Sequence, residues 1–266
     1  KGGLVWIKER TTAQNHNLWD SERGLGAYLK SNTTDTTSAL SGMSFTPTGM
    51  SITATGSVWN ASGLSYVSWT FRKAPKFFDV VTWTGNSAAR TISHSLGSAP
   101  GMIMVKKTNT TDSWYVYHRS LGNGGVLYLE QTAAAGTGSS YWNSTDPTAS
   151  VFSVGGNTGV NGTGNTYVAY LFAHDTAADG LIQCGSFTTD GSGNATVNLG
   201  WEPQFSMWKT SSGAGSWFMS DTSRGSTTDG AFNYLVANTS GAEASGTGYK
   251  INATGFTVAG FGASVT

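Results

Sequence analysis

Few residues in this chain are of the types that perform chemistry, and their spacing does not gather them. The four histidines, His16, His94, His118 and His174, show neither the HxH nor the HExxH spacing that turns two imidazoles onto one metal. Asp20 and Glu22 form the best pair of carboxylates for acid–base work, because alternate residues of a strand share a face. Neither of the matching segments elsewhere in the chain preserves both acids. Cys184 is the sole cysteine, so no intrachain disulfide forms, and its apolar run LIQCGSF reads as a core strand. No GxSxG nucleophile turn is present. Asp190-Gly-Ser-Gly-Asn194 begins like a calcium loop but lacks the later acidic ligands, and reads as the turn of a β-hairpin. Glycine-rich runs at Gly155 and Gly162 lead into no Lys that would cradle phosphate. No catalytic residue, metal site or cofactor is expected, and the chain reads as a non-enzyme.

Aromatic residues in polar loops offer another kind of chemistry. Trp59 and Asn60 lie in GSVWNASG, Tyr141, Trp142, Asn143 and Asp146 in SSYWNSTDP, and Trp201 and Glu202 in LGWEP. An open ring beside amide and carboxylate groups suits stacking on a sugar face, with hydrogen bonds to its hydroxyls. These eight residues are the candidate glycan contacts. The competing expectation is that such rings fold over the end of a core.

The elements that would position these groups are written as a repeat. LGSAPGMIMVKK, from Leu96, returns as LGWEPQFSMWKT from Leu199, with Leu, Gly, Pro and Lys on the same offsets. A third copy of the apolar part opens the chain, at Leu4-Val-Trp-Ile-Lys8. The three lysines, Lys8, Lys106 and Lys209, stand about a hundred residues apart, and twelve residues after them come Asp20, His118 and Asp221. Alternation assigns Val67, Trp69 and Phe71 to a core face, as it does Val168, Tyr170 and Phe172. Leu4, Trp6 and Lys8 share a face, as do their counterparts. Lys8 with Asp20 and Lys209 with Asp221 are expected to pair across a hairpin for roughly 0.2–1 kcal/mol each, a pair that His118 breaks.

Thr, Val and aromatic residues alternate with Gly-, Asn- and Ser-rich turns, which predicts an all-β fold. The expected architecture is tandem β-sandwich units, jelly-roll or Ig-like, of about a hundred residues. The units are placed at residues 1–97, 98–200 and 201–266, the first lacking its lead-in and the third ending at Thr266 before its last strands. That pattern reads as part of a longer polypeptide, cut within repeats at both ends.

Charged residues make up 11% of the chain and balance at 15 of each sign. No basic stripe points to nucleic acid, and no apolar run reaches the roughly 18 residues of a membrane helix. Ten Trp and an aromatic content of 12% supply a core.

Long segments carry a resemblance: VWIKERTTAQNHNLWDSERG, VSWTFRKAPKFFDVVTWTG with RTISHSLGSAPGMIMVKK, and YVAYLFAHD with CGSFTTDGSGNATVNLGWEPQ. They resemble large structural or tail-fibre-like virion proteins of marine tailed bacteriophages, including cyanophages, over nearly the whole chain. The resemblance implies a virion appendage protein, made in the bacterial cytoplasm and then exposed outside. Its partners would be other virion proteins, further copies of itself such as a trimer, and a host-surface glycan. Nucleic acid and membrane insertion are not implied. The lack of disulfides fits that route, and the scarcity of charge fits salt water. The expected function is a non-enzymatic structural or adhesive segment of a tail fibre or appendage. A carbohydrate-binding module using the loop aromatics is the alternative, with a glycan-degrading tailspike-like enzyme behind it.

Overall fold

The computed structural model describes residues 2–56, 58–226 and 228–260. The chain is all-β, with 42% strand and 4% helix. The first unit holds β1 (Gly3–Glu9), β2 (Asn17–Asp20), β3 (Gly24–Lys30), β4 (Ser38–Ala39), β5 (Met43–Thr46), β6 (Gly49–Ile52) and β7 (Tyr66–Arg72). Next come β8 (Phe78–Thr84), β9 (Arg90–Ser93), β10 (Pro100–Lys107), β11 (Trp114–His118), β12 (Gly125–Tyr128), β13 (Gly136–Thr137), β14 (Val151–Val154) and β15 (Thr166–Ala173). The last are β16 (Ala195–Asn198), β17 (Phe205–Trp208), β18 (Phe218–Asp221), β19 (Ala231–Val236), β20 (Ala244–Thr247), β21 (Tyr249–Asn252) and β22 (Gly255–Val258).

Three antiparallel main sheets repeat one plan. Their orders are β4-β3-β2-β1-β7, β13-β12-β11-β10-β15-β8 and β20-β19-β18-β17. The repeat read in the sequence is also a repeat of register. Leu4 stands opposite Asp20, Met102 opposite His118, and Phe205 opposite Asp221. The cross-strand partner of each +12 residue therefore lies four residues before the Lys. The expected Lys8–Asp20 and Lys209–Asp221 pairs do not form. Pairing of β1 with β2 ends at Ile7 and Asn17, which leaves Asp20 opposite Leu4 and Lys8 opposite Val67 of β7.

Alternate residues of each main sheet point to opposite sides, and apolar clusters form on both. The inner faces meet in one cluster that includes Leu4, Trp6 and Trp69 from the first unit, Met104, Trp114 and Tyr170 from the second, and Trp217 and Met219 from the third. Each outer face has a cluster of its own. Val5, Ile7 and Trp19 pack with Met43, Met50 and Ile52 of the β5–β6 ribbon. Ile103, Val105 and Tyr167 pack with Ile92 and Phe152 of the β9–β14 pair. Phe232 packs with Tyr249 and Ile251, whose sheet runs β16-β22-β21.

The predicted tandem sandwiches are therefore replaced by small antiparallel sheets in a propeller-like arrangement. A row of separate sandwiches would close one core per unit. Here the face holding Val67, Trp69 and Phe71 is core as expected, but the core is shared by all three units. Strands also cross the expected boundaries. β8 pairs with β15 and β9 with β14, so the segment before residue 97 completes the sheets of the second unit. LIQCGSF is not a strand, and β16 pairs with β22 rather than forming a hairpin through Asp190. Asp190 still makes a turn, accepting from the Ser192 and Asn194 amides. Thr266, where the third unit was expected to stop, lies outside the described residues.

Candidate functional site

The polar groups of this chain gather where the units meet. In the sequences DSER and DTSR, the first residue ends a strand and the fourth folds back on it. Asp20 accepts from the Glu22 and Arg23 amides and from Arg23 Nε at 2.6 Å. Its other visitor is the Tyr170 hydroxyl of the second unit, at 2.8 Å. Asp221 repeats this corner: Arg224 Nε lies at 2.6 Å, and Trp69 Nε1 of the first unit donates at 3.0 Å. The Arg224 guanidinium stacks over that same indole, 5.2 Å from its centroid. It also bonds Glu243, which takes a two-pronged contact from Arg10 at 3.0 and 2.6 Å. Charge-assisted bonds of this kind hold geometry tightly. Burial pushes the Tyr170 phenol well above the ordinary tyrosine range, with Asp20 adding to it. Burial works against ionisation of Glu243, but bonds from Arg10 and Arg224 hold its pKa below the usual value.

A second set of ties follows the lysines. Lys106 Nζ donates to Thr34 O of the first unit at 2.9 Å, and Lys209 Nζ to Thr132 O of the second at 3.0 Å. Burial lowers the pKa of Lys8, Lys106 and Lys209 to about 8. Eight residues after each Lys comes a ring that donates to the preceding unit of the cycle. Trp114 Nε1 bonds Lys30 O at 2.9 Å, and Trp217 Nε1 bonds Tyr128 O at 2.8 Å. The first unit uses His16, whose Nε2 lies 3.1 Å from Val236 O of the third. His16 Nδ1 accepts from Trp6 Nε1, which fixes the proton on Nε2. Burial lowers its pKa to about 3. Backbone ties cross the same three junctions in the opposite sense: Thr37 N to Thr108 O, Ala135 N to Ser211 O, and Glu243 N to Arg10 O. First holds second, second holds third, and third holds first. The ring is closed.

The third corner differs. His118 stands where the other units have Asp, and Leu121 where they have Arg. His118 Nδ1 accepts from the Ser120 amide, and burial lowers the imidazole pKa to about 4. A cavity of about 460 Å³ opens at this corner, lined by His118, Leu121, Phe172, Trp201, Phe205 and Met207 among others.

A family model described as Domain of unknown function (DUF7483) matches residues 1–264. The chain belongs to that family. No curated protein and no solved structure matches it. The DUF7483 match spans all three units, so the closed ring falls within one family domain.

The loop aromatics of this DUF7483 chain lie in three different places. Trp59 packs edge-on to Trp19 and Tyr28, over the outer cluster of the first sheet. Asn60 beside it is exposed and donates to Ile52 O. Trp142 is 2% exposed, donates to Gly125 O and meets Tyr117 edge-on. Its ring belongs to the second outer cluster. The Tyr141 hydroxyl lies 3.2 Å from that of Tyr128. Asn143 and Asp146 are exposed, and Asp146 accepts from Asn123. Trp201 is half-buried at the cavity, beside exposed Glu202, and its Nε1 meets no hydrogen-bond partner. The acid pair read from sequence is also separated, since Asp20 is held by Arg23 and Glu22 by Lys73 at 2.8 Å. Among the described residues no group of three His, Cys, Asp or Glu stands close enough to hold a metal. The sequence reading passed over Arg23 and Arg224, although an Asp-x-x-Arg signal was present in two units. Glu243 and Tyr170 had no local signal, because their partners lie in other units.

Proposed function

We propose that this domain is a non-enzymatic structural or adhesive segment of a bacteriophage tail fibre or virion appendage. The supporting observation is where its ionic groups go. In a chain so poor in charge, the Arg10–Glu243 pair spans two units, and Asp20, Arg23, Asp221 and Arg224 each reach a ring of another unit. Groups so engaged hold shape rather than turn over a substrate. A rigid, neutral ring with no disulfide suits an appendage made in a reducing cytoplasm and displayed in salt water. Its partners on this reading are other virion proteins, further copies of itself and a host-surface glycan.

A carbohydrate-binding role is the second reading, favoured by Trp201 with its unpartnered indole N–H and Glu202 beside it at the cavity. A glycan array and host-cell binding assay on the purified domain tests both. Binding lost in folded Trp201→Ala identifies an adhesin with its site at the cavity. Binding to cells unchanged by Trp59→Ala and Trp201→Ala places the adhesive surface elsewhere. No binding leaves the structural role, and release of reducing ends from a glycan refutes the non-enzymatic reading.

A further inference from the structure

Two asparagines of this chain precede a glycine, Asn123 and Asn161. Such a pair lets the backbone attack the side chain, because a following residue without a Cβ leaves the approach to the asparagine Cγ open. The nucleophile is the amide nitrogen of the glycine. The structure closes this route at Asn161 and leaves it open at Asn123. Asn161 is fully buried at the end of the short helix Thr158–Asn161. Its Nδ2 donates to Asn86 Oδ1, Ala88 O and Gly155 O, and its Oδ1 accepts from the Asn86 amide. The Gly162 amide is itself engaged, donating to the Tyr167 hydroxyl at 2.7 Å. Asn123 lies in the turn between β11 and β12, beside exposed Gly124. The Gly124 amide donates to no group among the described residues. There the Asn123 side chain makes one bond, from Nδ2 to Asp146 Oδ1 at 2.8 Å, on the surface.

We propose that Asn123 is a site of spontaneous deamidation, and that the product unfastens the loop carrying Asp146. Gly124 N bonds to Asn123 Cγ and gives up its proton, the Cγ–Nδ2 bond breaks, and ammonia leaves. Water then opens the cyclic imide at either carbonyl, leaving aspartate or isoaspartate, and no other reactant is needed. Either product sets a carboxylate against that of Asp146 where a donor stood. Two carboxylates so close repel each other unless they share a proton. Among the described residues, the Asn123 bond is what ties residues 143–147 to the neighbouring turn. The other hydrogen bonds of this loop are local, from Thr145 N to Trp142 O and from Thr145 Oγ1 to Asn143 O. Asn143 and Ser144 stand at φ 53° and 46°, a left-handed conformation that a side chain disfavours. Loss of the tie frees a loop already held against its backbone preference. Because the tie is exposed, the domain itself stays folded. The proposal stands independently of the appendage reading.

The test is to age the purified domain in warm, mildly alkaline buffer and to map its peptides by mass spectrometry. Replacement of NH2 by OH marks deamidation, whereas isomerisation at Asp190-Gly191 or Asp229-Gly230 leaves the mass unchanged. The expected result is conversion of Asn123 to aspartate and isoaspartate with Asn161 intact. In urea Asn161 should convert as well, because its protection comes from the fold. Gly124→Ala should lose most of the conversion at Asn123. A Cβ at this position meets nothing within 4 Å and its φ is not in the left-handed region, so that variant folds. Asn123→Asp supplies one product directly. It should speed amide exchange at Thr145, whose N–H is bonded to Trp142 O, and leave the unfolding midpoint unchanged. Should it fail to fold, aged protein separated by its added negative charge gives the same reading. Asn123 intact in the folded domain while Asn161 converts in urea overturns the proposal, as does equal conversion of both in the folded domain. Undiminished conversion in Gly124→Ala overturns the imide route. Unchanged exchange at Thr145 in Asn123→Asp, or in the aged protein, overturns the unfastening.

Discussion

The Tyr170 hydroxyl lies 2.8 Å from Asp20 Oδ2, joining residues 150 positions apart in the chain. Trp69 and Asp221, 152 positions apart, repeat the contact at the next junction. Stability of the domain therefore depends on side chains whose partners are remote in sequence.

Replacing Asp221 by Ala should cost about 3–5 kcal/mol, because it strands the buried Arg224 guanidinium and leaves the Trp69 N–H without an acceptor. Urea unfolding of the variant checks this. A cost under about 1 kcal/mol, as for an exposed cross-strand pair, would show that the corner contributes little.

The lysine ties predict an alkaline response. Lys8, Lys106 and Lys209 have folded pKa values of about 8, against about 10.4 when unfolded. Between those values the unfolded chain binds more protons, so stability rises with pH above 8. Tyr128 and Tyr249, raised by burial to about 12, act oppositely above pH ~10, where unfolded tyrosines ionise first. Melting temperature should thus climb from pH 8 toward 10 and then fall, and Lys106→Met should shrink the climb.

Acid should act through the histidines. Burial holds His16 at about 3 and His118 at about 4, below the unfolded value of about 6.5. From pH 6.5 downward the unfolded chain takes up protons that the folded chain refuses, and stability falls until those lower values are passed. The other units have Met and Trp where the first has Trp6 and His16. The double variant Trp6→Met with His16→Trp should keep a donor to Val236 O and flatten part of the acid limb in denaturation curves measured from pH 7 to 4.

Among the loop residues, Trp142→Ala should cost about 3–5 kcal/mol, as for a large ring removed from a core. Asn143→Ala and Asp146→Ala, both exposed, should stay within about 0.5 kcal/mol. Thermal melts of the three variants check the contrast, and a mild effect at Trp142 would mean that the ring is not part of the packed cluster.

Period-two alternation made the strand faces legible: Val67, Trp69 and Phe71 point inward as read. The repeat landmarks were legible too, but not what they do. Asp20 and Asp221 were seen at a fixed offset from Lys, and the intervening loop, whose length sets register, hid their real partners. Alternation tells which side of a strand is buried and not against what. One face of each sheet could therefore be assigned without revealing that three sheets share it. Trp142 looked open because its neighbours are polar, yet the ring turns inward while Asn143, in a left-handed conformation at φ 53°, carries the loop outward.

Arg10 and Glu243, bonded across 233 positions, set the copy number of this architecture. A row of beads can be lengthened by duplicating one more bead. A circle that shuts when its last member grips its first cannot, since an inserted copy would force that grip open. Gene duplication within such a domain is arrested by its own closure, and variation is left to the loops on its rim or to whole domains strung one after another.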